Sequence, residues 1–356
     1  MNQDLLQIES FLQSQVAPLA NKIDRHPHFL KSVLKQMGDL SWLAWKAPQK
    51  LGGTGLKASD YGRLQLSLAR VSGALAFLQT QHQSAVAKLV QSDNKSLQQE
   101  FFPRLAKGDP LIGVGFSHLR RRGMPIMEAT ETATGYLLTG EVPWITGYGF
   151  FSHFILGATL PDGRELYGLL PLQNMVQESG GEIICSQPMD LIAMTATNTI
   201  SAKISQWWLK CDRLVTINPP GTIHLSSRRN ILHHGFLALG CAYGGLDIVR
   251  AIAESKQLEF MQKSWQSLDQ EVAKKEQEVI ISISDSQATY QQQLELRIET
   301  MDLAQRCSLA AVIATSGSAN TLNSNAGRVY REALLYSVSG QTTDVMEGNL
   351  KSLLRD

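Results

Sequence analysis

The chain has 356 residues, 43% of them apolar and 18% charged, a balance that excludes disorder and fibrous repeats and allows one large domain or two to three packed ones. Lys plus Arg number 33 against 32 Asp plus Glu, so no global field exists to gather nucleic acid or an anionic membrane. Any anionic ligand has to be held by a local cluster. Residues 1–15 lack the basic-then-apolar pattern of a signal peptide, and no apolar run of about 18 residues is apparent. Cys185, Cys211, Cys241 and Cys307 show neither CxxC pairing nor a histidine at ligand spacing, which argues against a metal site. The expectation is a cytoplasmic protein with unpaired thiols, no metal, no membrane insertion and no nucleic-acid partner.

Residues 1–110 read as helical. Leu5, Ile8, Leu12, Val16 and Leu19 recur at spacings of three and four, and periodic stretches follow over 29–43 and 61–78. The glycines of PQKLGGTGL, residues 48–56, make the link between them a loop. Over 111–222 the pattern changes to short apolar segments at 135–141, 150–160 and 165–172, bounded by Gly, Pro or Asp. Ile200, Ala202 and Ile204 alternate with polar residues as a half-buried strand requires.

From 223 to the end the helical period returns. Leu246, Val249 and Ala253 form a stripe with Ile248 and Ile252 beside it. The polar stretch 271–293 reads as one solvent-facing helix with a bend, and Gly317 marks a break before a last helix over 325–336. Helices, then strands, then helices is not the alternation of a doubly wound sheet, and no Gly-rich phosphate loop follows a strand.

Several stretches, in this order and at these spacings, resemble the acyl-CoA dehydrogenase family over nearly the whole chain: AWKAPQKLGGTGL, FFPRLAKGDPLIGVGFS, GYLLTGEVPWITGYGFFSHFILGAT, QWWLKCDRLV and GRVYREALLY. The resemblance implies an α+β fold with an N-terminal helical domain (1–110), a middle β-barrel-like domain (111–222) and a C-terminal four-helix bundle (223–356). It also implies FAD, an acyl-CoA or similar thioester as substrate, an electron acceptor such as an electron-transfer flavoprotein, and a homodimer or homotetramer.

Within that resemblance, Trp144-Ile145-Thr146 matches the stretch that walls the flavin ring. The indole supplies a flat apolar face and the Thr hydroxyl a bond to the N5 side. Ser117 matches a position on the pyrimidine edge, and Gly317 lies in what remains of the family's diphosphate segment. Arg120 and Arg121 stand where the family has other residues, in a run of arginines suited to gripping a substrate phosphate.

The family's proton-abstracting glutamate is missing. Aligning Arg331-Glu332-Ala333 with its Arg-Asp-Ala helix puts Gly340 on the glutamate position. Glu347, in Met346-Glu347-Gly348, mimics the family's Tyr-Glu-Gly but lies about 10 Å further along if the segment is helical. Some relatives carry the base on the first helix after the β domain. That register puts Asn230 at the key place here, and His233, with His234 beside it, is the group there that can take a proton. The expected function is α,β-dehydrogenation of an acyl thioester with a displaced base, from Glu347 or His233. The alternatives are a flavin-dependent monooxygenase and a non-catalytic binding or assembly protein of the same fold.

Overall fold

The computed structural model describes the backbone of residues 3–354 and the side chains of 6–354, so Leu5 of the first stripe lies outside the described side chains. Helix α1 (Gln3–Phe11) continues through a π-helical turn and a 3-10 turn containing Pro18 into α2 (Ala20–Arg25), and α3 (Pro27–Asp39) follows. Ile8, Leu12 and Val16 are buried, as their spacing requires.

The stretch 61–78 is two helices, not one. Helix α4 (Ala58–Val71) stops at Ser72, which is extended at φ −154° and whose hydroxyl accepts from Leu75 N at 3.4 Å, opening α5 (Gly73–Val90). Asn94 caps α6 (Lys95–Leu105) in the same manner.

The middle of the chain is one nine-stranded sheet. Its strands are β1 (Ile112–Gly115), β2 (Met127–Thr132), β3 (Gly135–Ile145), β4 (His153–Thr159), β5 (Glu165–Pro171), β6 (Met175–Val176), β7 (Glu182–Cys185), β8 (Ile200–Lys210) and β9 (Leu214–Asn218). The order is β6-β7-β8-β3-β2-β4-β5-β9, with β1 parallel beside β4. Ile200, Ala202 and Ile204 face inward as their alternation predicts. Strand β3 does not end near Glu141. Gly140, at φ +144° and with only 2.2 Å between a would-be Cβ and Ile126 O, lets the strand shift register and run on to Ile145.

Six helices close the chain: α7 (Thr222–Arg229), α8 (His233–Lys256), α9 (Glu259–Ser284), α10 (Tyr290–Thr315), α11 (Asn325–Val338) and α12 (Thr343–Ser352). The stretch 271–293 is therefore a helix end, a chain reversal and a second helix, which Thr289 and Gln292 open as a capping box. Its polar composition hid the break. A further helix, α12, also follows the one over 325–336.

Helices α8 to α11 form the bundle, and α8 packs on α4 as well. A window of α8 is apolar enough to cross a membrane (mean hydropathy 1.5), which the sequence reading passes over, but 67% of it is buried inside the protein. It is a core helix here.

Helix α11 is tied to the N-terminal helices by buried charge. Glu332, 1% exposed, accepts from Arg328 at 2.7 Å and from the α5 amide Gly73 N at 3.1 Å, while Arg331 pairs with the buried Asp24 at 3.0 Å. Removing one partner leaves the other charge stranded in the core. Glu332→Ala is expected to cost about 3–5 kcal/mol in urea unfolding. Lys35→Ala, which breaks an exposed pair with Asp39, should stay within about 0.5 kcal/mol of the parent.

Candidate functional site

The loop leaving β1 packs on α7, the first helix after the sheet. The chain turns through a 3-10 segment, Ser117–Arg120, which leaves Ser117 exposed and sends the half-buried Arg120 toward α7, where its Nε donates to Ser227 Oγ at 2.8 Å. Asn230 ends α7 with its amide donating to Ser226 O at 2.7 Å. It is exposed and committed to the helix end.

The glutamate position lies beyond α11. Helix α11 ends at Ser339, and Gly340 adopts the left-handed conformation at φ +61°. A Cβ there would fall 2.4 Å from Nε2 of His234 and within 3 Å of two further atoms of that ring. The space a side chain at 340 would enter is filled by an imidazole from α8. Ser339 Oγ lies 3.3 Å from its Nδ1. The tautomer in which Nδ1–H donates to that hydroxyl leaves the lone pair on Nε2.

Arg297, on α10 and 1% exposed, joins the corner before α8 to the end of α11, donating to Ile231 O at 3.1 Å and Ser339 O at 2.7 Å. One residue earlier on α8, a turn of about 100° sends His233 elsewhere. Its ring centroid lies 6.3 Å from that of Tyr61 on α4, and Lys46 Nζ sits 4.6 Å over the same tyrosine.

Burial lowers the pKa of every base here. His233 is driven down to about 3 by desolvation and then by Lys46, and Lys46 itself to about 8 by desolvation. His234 is held well below its ordinary value by burial, and then by Arg297, Arg120, His233 and Lys46. Both imidazoles are neutral at neutral pH.

Of the residues expected to wall a flavin, Trp144 and Ser117 are open to solvent and Ile145 and Thr146 are buried. Trp144, at the end of β3, presents an indole that is 50% exposed, an apolar face a ring could cover. Ser117 stands open at the end of β1. Ile145 is wholly buried in the sheet core, so its side chain cannot meet a ring. Thr146 is also buried, and its hydroxyl is 2.9 Å from that of Thr199, so the pair has one hydroxyl hydrogen left to give elsewhere. Gly317 lies in a 3-10 turn with open space around it, next to the buried and unpartnered hydroxyl of Thr315. These features fit the ring end of FAD; the diphosphate end has fewer groups.

Other expectations are corrected. Glu347 is exposed on α12 and pairs with Lys351 at 2.6 Å, because Gly348 is the residue that packs that helix onto Ile298 of α10. It is not a buried base. His234, not His233, takes the place of the missing side chain. Arg120 and Arg121 do not share one phosphate: Arg121 is exposed and lines a separate cavity of about 210 Å³ with His118, Met124 and His224. A wider concavity of about 510 Å³, beside Asn94 and Leu214, includes neither His234 nor Gly340.

Lys46 and Arg297 were missed in the sequence. Arg297 carried a signal, since Leu294, Arg297 and Met301 share one helical stripe and both apolar members are buried. Gly340→Ala is expected to destabilise the protein by about 1–3 kcal/mol, from the left-handed backbone and the collision with His234. The urea midpoint measures it, and His234→Ala in the same chain should recover part of the loss.

Residues 5–109 match the family model "Acyl-CoA dehydrogenase, N-terminal domain". Isovaleryl-CoA dehydrogenase of Pongo abelii is 28% identical over 145 residues, which is 39% of this chain and 34% of that protein. Benzylmalonyl-CoA dehydrogenase of Aromatoleum aromaticum is 24% identical over 161 residues, 44% of this chain and 42% of that protein. The chain thus matches well under half the length of these curated relatives by sequence. Among solved structures, a glutaryl-CoA dehydrogenase from Mycobacterium smegmatis in complex with FADH2 superposes with a TM-score of 0.81 at 18% identity, covering 99% of this chain and 95% of that one. Butyryl-CoA dehydrogenase from Megasphaera elsdenii gives 0.76 at 16% identity, over 99% and 98%. Residues 5–109 are thus similar to the N-terminal domain of acyl-CoA dehydrogenases, and the chain over its described length has the fold of the solved acyl-CoA dehydrogenases.

Proposed function

We propose that this protein is an FAD-dependent oxidoreductase that removes an α proton from an acyl thioester with His234 as the proton acceptor. The observation that carries the reading is the imidazole Nε2 standing 2.4 Å from where the first side-chain atom of residue 340 would be. Trp144, Ser117 and the backbone around Thr146 would hold the flavin ring, and bound FAD would accept the hydride that leaves the β carbon. Because His234 is neutral at working pH, its lone pair is available without prior deprotonation. The proton moves from the α carbon to Nε2. Ser339 orients the ring through Nδ1, and Arg120 and Arg297 favour the negative charge that develops on the thioester oxygen.

The electron acceptor fits an electron-transfer flavoprotein, by analogy with the family. A homodimer or homotetramer is supported by an exposed apolar stripe on α11, Tyr330, Leu334 and Val338, beside Leu309 and Ile313 of α10. A cytoplasmic location completes the reading. A non-catalytic binding protein of the same fold is the second reading, favoured by Gly340 and by the thin diphosphate end.

The purified protein is expected to be yellow with FAD released on denaturation, and to bleach anaerobically with an acyl-CoA. His234→Asn should keep the colour and slow bleaching by at least about 100-fold. The lowered pKa of His234 keeps its proton-accepting form as pH falls, so bleaching should not drop through pH about 6.5, where an ordinary histidine would be half protonated. A colourless protein, or a variant that bleaches like the parent, removes the reading.

A further inference from the structure

Helix α7 is held to the sheet by a buried acid, and its outer face carries only bases. Glu165, 4% exposed, accepts from Ile223 N at 2.9 Å and from the Tyr167 hydroxyl at 2.9 Å, so that carboxylate is spent inside. Arg120 bonds Ser227, which sets the turn after β1 against the inner face of α7, where Ile223 and Ser227 lie one turn apart. At about 100° per residue, Leu225 and Arg229 point away from that face, with His224 and Arg228 beside them. All four are exposed, as are Arg121, Arg122 and Met124 of the turn. Arg121, Met124 and His224 line one cavity, so turn and helix present a single surface.

Residues 117–127 and 218–234 contain no Asp or Glu. Among the described residues, Arg121, Arg122, Arg228 and Arg229 take part in no ion pair, whereas Arg104, Arg164, Arg213 and Arg306 elsewhere each hold a carboxylate. Arg228 lies 4.1 Å over the Tyr290 ring, and Asp344, bonded to that tyrosine's hydroxyl at 2.8 Å, bounds the face on that side. The cavity, at about 210 Å³, is smaller than the pockets of about 300 Å³ and more that enclose small molecules. Neither stretch has an aromatic side chain on which a nucleic-acid base could stack. Met124 is 84% exposed on a loop tip, with open space beside Gly123. Such a protruding apolar point can enter a soft headgroup layer, whereas a protein partner must supply a matching hollow. Arginines of one sign around exposed apolar side chains suit an anionic bilayer surface.

We infer that this face adsorbs reversibly to an anionic lipid surface, with Arg121, Arg122, Arg228 and Arg229 against the headgroup phosphates and Met124 and Leu225 dipping between them. The contact is peripheral and nothing spans the bilayer. It stands on the surface alone and does not rest on the function proposed above. With 33 basic and 32 acidic residues in the chain, the attraction comes from this local excess and not from net charge. Each arginine at such a surface is worth about fivefold in binding.

The test is co-sedimentation of the full-length protein, at low salt, with vesicles of phosphatidylcholine alone and of phosphatidylcholine mixed with phosphatidylglycerol. The mixed vesicles are expected to bind at least about tenfold more tightly, and binding should fall as salt is raised. Arg121→Gln combined with Arg122→Gln should weaken binding by about tenfold or more. Met124→Gln, which leaves the charge alone, should weaken it as well. Lys35→Gln combined with Lys274→Gln removes as many exposed charges elsewhere and should bind like the parent. A parent with no preference for the anionic vesicles overturns the proposal and needs no variant to fold. Equal losses in the two double variants also overturn it, because net charge alone would then be at work. A parent that ignores both vesicles but binds polyglutamate overturns it in favour of an acidic protein.

Discussion

The site depends on one substitution of shape and charge: a residue without a side chain at 340, and an imidazole from another helix in the room it leaves. A carboxylate there would have had Arg297, which donates to Ser339 O at 2.7 Å, close by as a counter-ion. A neutral imidazole is no counter-ion, so the cations keep their charge uncompensated and disfavour its protonation. The positive field is thus left free for the charge that develops on a ligand, and the same field keeps His234 in its proton-accepting form.

The fold delivers this arrangement through rigid parts. Helix α8 starts abruptly after the Ile231–Leu232 corner, and Arg297 ties that corner to the end of α11 by two hydrogen bonds. The buried Arg328–Glu332 pair and its bond to the start of α5 hold α11 against the N-terminal helices, so the Gly340 turn is anchored a few residues from a fixed point. In the sheet, the bulge at Gly140 carries β3 on to Trp144, where an apolar ring is left half-exposed at the sheet's end. Packing elsewhere determines where each group of the site stands.

Much of the fold was legible because it follows from periodicity. Ile8, Leu12 and Val16, or Ile200, Ala202 and Ile204, announce a buried face through spacing alone. Breaks within polar or uniformly apolar runs were not. Ser72 divides α4 from α5 by a backbone angle and a hydroxyl cap, and residues 285–289 reverse the chain without a proline or a glycine. At the site, Gly340 could be placed by its neighbours in a motif, whereas the imidazole that fills its space comes from 106 positions earlier in the chain, a juxtaposition only the packing of α8 against α11 creates. Glu347 was attractive because its neighbours imitate a motif, yet Gly348 beside it faces α10 and turns the carboxylate to solvent.

The most direct test of the central claim is a crystal structure of the protein with a non-reducible acyl-CoA analogue. The account predicts the α carbon within about 3–3.5 Å of His234 Nε2. An analogue bound with its thioester away from His234, or an imidazole swung out of the space beside Gly340, would contradict it.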